Sequence, residues 1–318
     1  MPERRLDLAP RLAASGLSPP SAATLAALRD VVDEGVLGAS IHVALALPLI
    51  ARIAAEGDSP ERAFRAAVET ARFIAETRGV SAPIVANALS WLLSGVADEP
   101  SDDRVSFLAE RAARWSREAD VRRAALVGYA ADALEAVAAV LTFDYSSTVA
   151  DIVSALAGSG NLRLIVVPES RAVDGGRRFV EAFAALGVPL RVTPDAAIDH
   201  ATSLAECLLM GAESVSADGG IVNTVGSAPF ARASVTAGHP VYGCADLFKV
   251  GATAASDWPE PPLRTYPFLP GASYGVDTRA PELEMVVPSL VTAILTERGP
   301  LAPARLAAAA SGIHDAGR

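Results

Sequence analysis

The sequence predicts an α/β fold in which an N-terminal α-helical domain (residues 1–140) precedes a doubly wound parallel sheet domain (residues 141–318). The first 140 residues carry apolar side chains at helical spacing and almost no strand signal. Beyond them, short aliphatic runs alternate with helical segments, an order typical of parallel sheets with right-handed crossovers. With 318 residues, 51% of them hydrophobic, the chain is long enough to fill two cores.

Start and stop signals divide the first half into six predicted helices. Ser59 before Pro60 has the pattern of a helix N-terminus, because serine caps free N–H groups and proline fits the first turn. Gly57 and Gly79 stand where the end of a helix favours a positive φ. The predicted helices cover residues 21–33, 39–55, 60–77, 82–93, 102–115 and 118–140.

The second half combines predicted strands and helices. The segment 259–270 holds five prolines and is predicted to run over the surface, 288–297 is predicted to be a helix, and 300–318 is predicted to be a fraying alanine-rich tail. The aliphatic runs predicted as buried parallel strands are 162–167, 190–192, 207–210 and 241–244, and the helices predicted among them are 147–157, 176–186 and 227–237.

Composition limits the classes of function. A net charge of −10 and a pI near 5.0 argue against binding to nucleic acid or to an anionic membrane. The N-terminus has no basic-then-apolar leader and no uncharged stretch reaches about 20 residues, so a soluble cytoplasmic protein is expected. Cys207 and Cys244 lie in apolar runs and are expected to be reduced core thiols, with a disulfide or a nucleophile as the alternative. No metal-ligand spacing and no nucleotide-cofactor motif occurs, so neither a metal nor a cofactor is expected.

Polar residues follow the predicted strands, and the carboxyl ends of parallel strands share one edge of a sheet. Asp144 follows a strand that ends at Phe143. Ser146 and Ser147 come next, and serines that enter a helix either cap it or help to bind phosphate. Glu169, Ser170 and Arg171 follow the run 162–167, and Arg177 opens the next helix. A loop salt bridge is the alternative here, but a guanidinium directly after a buried strand favours an anionic ligand.

Two further loops carry charged residues to the same edge. Glu213 follows the hydrophobic strand 207–210 and either faces the ligand crevice or caps the next turn, and Asn223 lies further along. Lys249 follows the strand 241–244 and either binds a phosphate or is solvated. Together the loops predict a phosphorylated small molecule as ligand.

Five segments carry a family resemblance: Val167-Pro168-Glu169-Ser170-Arg171 with Gly176-Arg177, Asp195-Ala196-Ala197, the stretch from Met210 to Gly226, the stretch from Pro240 to Lys249, and the stretch from Pro288 to Glu297. In order and spacing they resemble one superfamily. It comprises the α, β and δ regulatory subunits of eukaryotic translation initiation factor two-B, methylthioribose-1-phosphate isomerase and ribose-1,5-bisphosphate isomerase. The resemblance covers residues 145–300 well and the helical half in architecture. Residues 145–146 and 248–249 look more like the initiation-factor branch.

The resemblance implies a helical domain joined to a Rossmann-like domain that dimerises. It also implies a ring-opened aldose 1-phosphate as substrate, a proton shuttle near C1 and C2, and cationic or N–H groups on the phosphate. The cysteine and aspartate of the isomerases fall at Asp144 and Glu213, and the lysine after the loop asparagine falls at Thr224. The loop arginine falls at Leu37, and His42 is a candidate site residue because it lies near that substrate-facing loop.

Two hypotheses follow for the function. In the first, Asp144 and Glu213 form a carboxylate pair in which one pKa is raised, giving a proton shuttle for aldose–ketose isomerisation. Arg171, Arg177 and Lys249 would then hold the phosphate. In the second, the site is a catalytically silent sensor of a phosphosugar or a nucleoside monophosphate, and a pure scaffold is a third, weaker alternative. A homodimer or a higher homo-oligomer is expected in either case.

Overall fold

The computed structural model describes residues 8–18, 20–32, 39–56, 59–266, 275 and 277–314. The chain divides into two compact units, of which one holds the chain through Val121 together with the segment from Ala309, and the other holds Arg122–Ala308. The first unit is helical, and the second contains a mostly parallel sheet flanked by helices. The predicted α/β fold class is therefore confirmed.

The helices of the first half agree with most of the predictions, but the last one ends at Ala133 and not near residue 140, because residues 139 and 140 begin the strand Ala139–Phe143. Ser59 caps a helix as predicted, because its Oγ accepts the N–H of Arg62 and Pro60 occupies the first turn. The two helices predicted at 102–115 and 118–140 are one helix, since neither glycine nor proline interrupts residues 104–127, and a helix at the N-terminus was not predicted. The bounds are α1 Leu8–Ala14, α2 Ala22–Val32, α3 Ala39–Ala55, α4 Pro60–Ser81, α5 Pro83–Leu93 and α6 Arg104–Ala133.

The prediction that Gly79 ends a helix is wrong. Gly79 lies inside α4, and a Cβ at this position would stand 2.8 Å from the Cβ of Ala86. This glycine therefore lets α4 pack closely against α5. Gly57, the other predicted helix end, lies outside the described residues.

The second half supplies the strands and the remaining helices. The strands are β1 Ala139–Phe143, β2 Leu164–Pro168, β3 Leu190–Thr193, β4 Cys207–Gly211, β5 Ser214–Val215, β6 Ile221–Thr224, β7 Val241–Cys244, β8 Leu263–Thr265, β9 Arg279–Pro281, β10 Leu283–Val286, β11 Ala293–Thr296 and β12 Gly299–Leu301. The helices are α7 Ser147–Ser159, α8 Gly175–Phe183, α9 Ile198–Ser203, α10 Ser227–Thr236 and α11 Leu306–His314.

The main sheet has seven strands in the order β12-β11-β7-β4-β1-β2-β3, and all neighbours are parallel except β12 with β11. The chain runs outward from β1 to β3 and then returns to β4 on the other side of β1. The carboxyl ends of β1 and β4 are thus a topological switch point, where open α/β sheets bind their ligands. Phe143 pairs with Met210 there, so the loop that begins at Asp144 starts beside Gly211, the last residue of β4.

The core of the second unit explains why the aliphatic runs became strands. Residues of β1, β2 and β4 are buried on both faces, as expected for a parallel sheet covered by helices. Phe179 and Phe183 of α8 stack on each other with ring centroids 5.1 Å apart in this core. Cys207 and Cys244 are buried and free, and burial raises the pKa of Cys207 to about 12. The prediction of reduced core thiols is confirmed, because a reactive cysteine needs an accessible thiolate.

Two predictions near the C-terminus are wrong. Residues 288–297 form a short 3₁₀ turn, Pro288–Leu290, followed by β11, which pairs in parallel with β7. A short apolar run has the same composition in a buried helix and in a buried strand, and here all four residues of β11 are buried within the sheet. The predicted tail contains β12 and α11, and Leu306 is fully buried.

The remaining strands form small sheets that were not predicted. β10, β6 and β5 make a three-stranded sheet beside the main one, and β8 pairs with β9. β8 lies in the proline-rich segment and is exposed, in agreement with the predicted surface position, whereas residues 267–270 lie outside the described part. No helix within the described ranges is long and apolar enough to span a bilayer.

Gly176→Ala tests the junction between β2 and α8. A Cβ at Gly176 would stand 2.4 Å from the carbonyl oxygen of Pro168 and 2.7 Å from that of Glu169, and backbone atoms cannot move away without displacing the end of β2. The variant should lose roughly 1–3 kcal/mol of unfolding free energy, measured by urea denaturation. The matched control is Gly158→Ala in α7, where a Cβ meets nothing within 4 Å, and it should gain up to about 1 kcal/mol. Equal stability of the two variants would contradict this packing.

Candidate functional site

Asp144 occupies the turn after β1 at the switch point of the sheet. Its φ of 56° lies in the left-handed region, which aspartate adopts more readily than most residues. Thr224 Oγ1 donates to one carboxylate oxygen at 2.5 Å, and Ser170 Oγ lies 3.4 Å from the other. The backbone N–H of Tyr145 also donates to this carboxylate. Donors that follow or end three different strands therefore converge on one carboxyl group.

Burial raises the pKa of the Asp144 carboxyl above its ordinary value. The hydrogen bond from Thr224 opposes this rise most strongly, followed by those from the Tyr145 N–H and the Ser170 hydroxyl and by the charge of Arg178. These groups favour the ionised form, but the loss of hydration outweighs them. Asp144 thus keeps its proton to a higher pH than an exposed aspartate does.

The N-terminus of α8 forms one wall of the site. A Cβ at Gly175 would stand 2.0 Å from Asp144 Oδ1 and 2.8 Å from the backbone nitrogen of Tyr145. Only glycine allows the helix to approach the carboxylate this closely. On the other side, a Cβ at Gly211 would stand 2.6 Å from the Cβ of Ser146, so the loops after β1 and β4 are in contact.

Asp195 fixes the loop that carries Ser170. Its carboxylate accepts the backbone N–H of Ser170 at 2.9 Å and that of Arg171 at 2.7 Å. Ser170 is buried and has a φ of 47°, a strained conformation for serine that these two hydrogen bonds help to hold. Asp195 is not among the predicted site residues, although an acid that follows β3 at the edge shared with β2 could have indicated a role.

The predicted phosphate ligands after β1 and β2 have partners of their own. The Arg171 side chain is 85% exposed and lies 3.9 Å from Glu169, and Arg177 forms an ion pair with Asp174 at 2.6 Å. Ser146 caps α7 by accepting the N–H of Val149 at 3.4 Å, which is the capping alternative. Ser147 is exposed in the first turn of α7, and its carbonyl oxygen accepts a hydrogen bond from Arg123.

Glu213, Asn223 and Lys249 lie on the other side of the switch point. The backbone N–H of Glu213, just after β4, donates to the carbonyl oxygen of Val222 in β6. The Glu213 side chain is half-buried, and within the described ranges its carboxylate has no hydrogen bond or ion pair. Asn223 Nδ2 donates to Ser227 Oγ at 3.0 Å, and Lys249 Nζ donates to the carbonyl oxygen of Ala212 at 2.5 Å. No hydrogen bond links Glu213 to Asp144, whose raised pKa has burial as its main cause.

His42 belongs to the first unit. It is fully buried on α3, with its Nδ1 3.3 Å from the guanidinium of Arg78. Leu37 and Gly38, at the loop-arginine position of the family resemblance, lie outside the described residues.

Two side chains that organise the site were not predicted from the sequence: the carboxylate of Glu284 and the hydroxyl of Thr224. Glu284 on β10 accepts the N–H groups of Gly226 and Ala228 at 2.6 and 2.8 Å and so caps the start of α10. Thr224 was noted only where a lysine was expected, whereas here its hydroxyl bonds to Asp144. Among the residues that the structure describes, no group of three or more His, Cys, Asp or Glu side chains could hold a metal ion.

Known proteins resemble this chain over most of its length. The model of the initiation factor 2 subunit family matches residues 38–303. The methylthioribose-1-phosphate isomerase of Anaeromyxobacter sp. (strain K) is 30% identical over 298 residues, which are 87% of this chain and 83% of that protein. The ribose 1,5-bisphosphate isomerase of Haloterrigena turkmenica is 27% identical over 263 residues, which are 77% of this chain and 78% of that protein.

A solved structure shares the fold. The translation initiation factor eIF-2B of Pyrococcus horikoshii OT3 superposes with a TM-score of 0.74 and 22% identity, covering 90% of this chain and 99% of that one. The resemblance predicted from the five segments is confirmed. With the family model matched over 38–303 and the same architecture in the solved structure, the chain belongs to the initiation factor 2 subunit family.

Proposed function

We propose that the protein binds a phosphorylated sugar and interconverts its aldose and ketose forms, with Asp144 as the proton shuttle. The observation that carries this proposal is the half-buried Asp144 carboxyl, whose pKa is raised by loss of hydration, at the switch point of the sheet. Relatives of 27% and 30% identity are named as sugar-phosphate isomerases, which supports the general class of reaction.

The reaction needs one group that alternates between base and acid. In the open-chain aldose, the Asp144 carboxylate takes the proton from C2 and returns it to C1, while Glu213 carries the hydroxyl proton from O2 to O1. A raised pKa suits Asp144 to this task, because it brings the pKa of the carboxyl closer to the pH at which a shuttle must both accept and return a proton. The Ser170 and Thr224 hydroxyls hold the carboxylate in place during both steps.

The phosphate would be held by groups around the same edge. Arg171 and Arg177 are exposed, and exposed ion pairs contribute only about 0–1 kcal/mol, so a dianionic phosphate can replace Glu169 or Asp174 as their partner. Lys249 donates one proton to Ala212 and has two more. We propose Ser146, Ser147, Glu169, Ser170 and Asn223 as further ligand-binding residues.

The assembly and the cellular location belong to the same proposal. We expect a homodimer or a higher homo-oligomer in the cytoplasm, with a phosphorylated small molecule as ligand and without nucleic acid or membrane as partner. Light scattering on the purified protein would measure the assembly directly.

A non-catalytic sensor of a phosphosugar or nucleoside monophosphate is the second candidate, and one observation favours it. Both oxygens of Asp144 already lie within reach of a hydroxyl group of the protein, from Thr224 and from Ser170. Such a carboxylate is satisfied without a substrate and could serve only to hold three strand ends together. Binding without turnover is the expected behaviour of a sensor.

Asp144→Asn tests catalysis. The wild-type protein should be stabilised by, and should convert, at least one of ribose 1,5-bisphosphate, methylthioribose 1-phosphate and ribose 1-phosphate, followed by thermal shift and by ¹³C NMR. An asparagine of the same shape cannot carry a proton, so turnover should fall by at least about 100-fold while the thermal shift remains. Saturating ligand should add about 2.7 kcal/mol at a hundredfold excess over Kd.

The outcomes of that experiment separate the candidates. Stabilisation without conversion in the wild-type protein would favour the sensor. Unchanged turnover in the asparagine variant would contradict the role of Asp144. No stabilisation by any phosphorylated compound would contradict both candidates.

Thr224→Val tests the hydrogen bond that lowers the pKa of Asp144. Valine has nearly the same shape but no donor, so the pKa of Asp144 should rise further. Because the ionised form removes the substrate proton, the acid limb of the kcat/KM profile should move to higher pH. Thr224→Ser keeps the hydroxyl and should leave the limb near its wild-type position. A limb that moves to lower pH in the valine variant would contradict the assignment.

The raised pKa also predicts how folding stability changes with pH. A carboxyl whose folded pKa exceeds its unfolded value favours folding when protonated, so its contribution is complete below about pH 4 and is lost as pH rises through the folded pKa. The unfolding free energy of the wild type, relative to that of Asp144→Asn, should therefore decrease as pH rises from 4 to 8. Urea denaturation at several pH values measures this difference. A constant or rising difference would show that the pKa is not raised.

A further inference from the structure

Arg178 lies in the first turns of α8 with its guanidinium on an aromatic ring. Its Cζ is 3.9 Å from the ring centroid of Tyr145, the residue that directly follows Asp144. Tyr145 in turn packs against Phe179 of the core, with ring centroids 5.3 Å apart. A guanidinium that stacks on a held aromatic ring loses much of its conformational freedom before any ligand binds.

Helix geometry places Arg178 beside Asp144. Residues three apart share a face of a helix, so Arg178 lies on the face of Gly175, where a Cβ would stand 2.0 Å from Asp144 Oδ1. The charge of Arg178 also lowers the pKa of Asp144, as expected of a nearby cation. Arg178 thus stands along the wall of the site, over the turn formed by residues 144 and 145.

The hydrogen-bond donors of Arg178 are available to a ligand. Arg177 next to it forms an ion pair with Asp174, and Arg171 lies beside Glu169. Within the described part of the chain, by contrast, no oxygen accepts a hydrogen bond from Arg178, whose guanidinium lies on the Tyr145 ring. The Arg178 guanidinium is restrained by the Tyr145 ring, lies beside Asp144 and has N–H groups without an acceptor. These N–H groups can therefore bind an anionic ligand.

We propose, on the basis of the proposed function, that Arg178 stacked on Tyr145 is the principal phosphate-binding residue of the Asp144 site. Its flat guanidinium would donate paired hydrogen bonds to two oxygens of a phosphate monoester dianion. This chemistry is shared by sugar phosphates and nucleoside monophosphates. Arg171 and Arg177 then add to the positive potential of the approach and contribute less to the affinity.

Neighbouring arginines provide a matched test. Isothermal titration calorimetry at pH 8 and constant ionic strength would compare ribose 1-phosphate, adenosine monophosphate and inorganic phosphate on the full chain. Arg178→Gln should weaken the binding of each compound that binds the wild type by at least tenfold. Arg177→Gln, which removes the same charge one residue away, should weaken it less than threefold. Arg178→Lys should fall between the two, because lysine keeps the charge but cannot form the paired hydrogen bonds.

The aromatic platform has its own variants. Tyr145→Phe keeps the ring and should bind as the wild type does, whereas Tyr145→Leu should weaken binding as Arg178→Lys does. Thermal unfolding without ligand checks that each variant is folded.

The outcomes distinguish this inference from the proposed function. Wild-type affinity in Arg178→Gln, together with a loss in Arg177→Gln or Arg171→Gln, would overturn the role of Arg178 and leave the proposed function standing. A wild-type protein that binds none of the three compounds would overturn both. Tight binding of adenosine monophosphate without ribose 1-phosphate would keep Arg178 as the phosphate ligand and move the ligand to the nucleotide class.

Discussion

The burial of one carboxyl group, Asp144, at the junction of β1 and β4 is the constraint on which the candidate site depends. A buried carboxylate is costly unless hydrogen bonds replace its lost hydration. Thr224 at the end of β6, Ser170 after β2 and the N–H of Tyr145 supply them. Gly175 makes room for α8 against the same group. Satisfying one charge therefore fixes the positions of several loops at once.

A second layer holds these partners in turn. Asp195 binds two successive N–H groups of the Ser170 loop, and the Tyr145 ring carries the guanidinium of Arg178. Asp144 and Thr224 stand at the positions where the resemblance places a cysteine and a lysine in the isomerases, and in this chain they contact each other. A threonine hydroxyl gives a neutral hydrogen bond in place of an ammonium charge. Burial then dominates, and the pKa of Asp144 stays raised.

Much of the fold could be predicted from local pattern, and the site could be predicted only in part. The strands at 164–168 and 207–211 followed from aliphatic runs, and the edge that carries the polar loops followed from parallel topology. β11 could not be distinguished from a helix, because its apolar run gains its strand partner only from β7 across the sheet. The hydrogen bonds that Ser170 N–H donates to Asp195 and Thr224 Oγ1 donates to Asp144 join residues far apart in sequence, so no local pattern indicates them.

The choice between Arg177 and Arg178 illustrates the same limit at the level of one helix. Adjacent residues point about 100° apart around a helix, so the pair Arg177-Arg178 indicates a cation without indicating which one faces the site. The structure distinguishes the two arginines, because the Arg178 guanidinium stacks on the Tyr145 ring beside Asp144, whereas Arg177 forms an ion pair with Asp174. A serine that precedes a helix can either cap the helix or bind phosphate. In this structure Ser146 caps α7, because its Oγ accepts the N–H of Val149.

The proton shuttle requires that the half-buried Asp144 carboxyl has a raised pKa, and the titration of this group tests that requirement most directly. ¹³C NMR of the aspartate carboxyl carbons, with Asp144→Asn used for assignment, measures the pKa of this one group in the intact protein. The structure predicts a value clearly above that of an exposed aspartate. A value at or below the ordinary range would mean that the hydrogen bonds outweigh burial, and Asp144 would then be a structural carboxylate and not a proton shuttle.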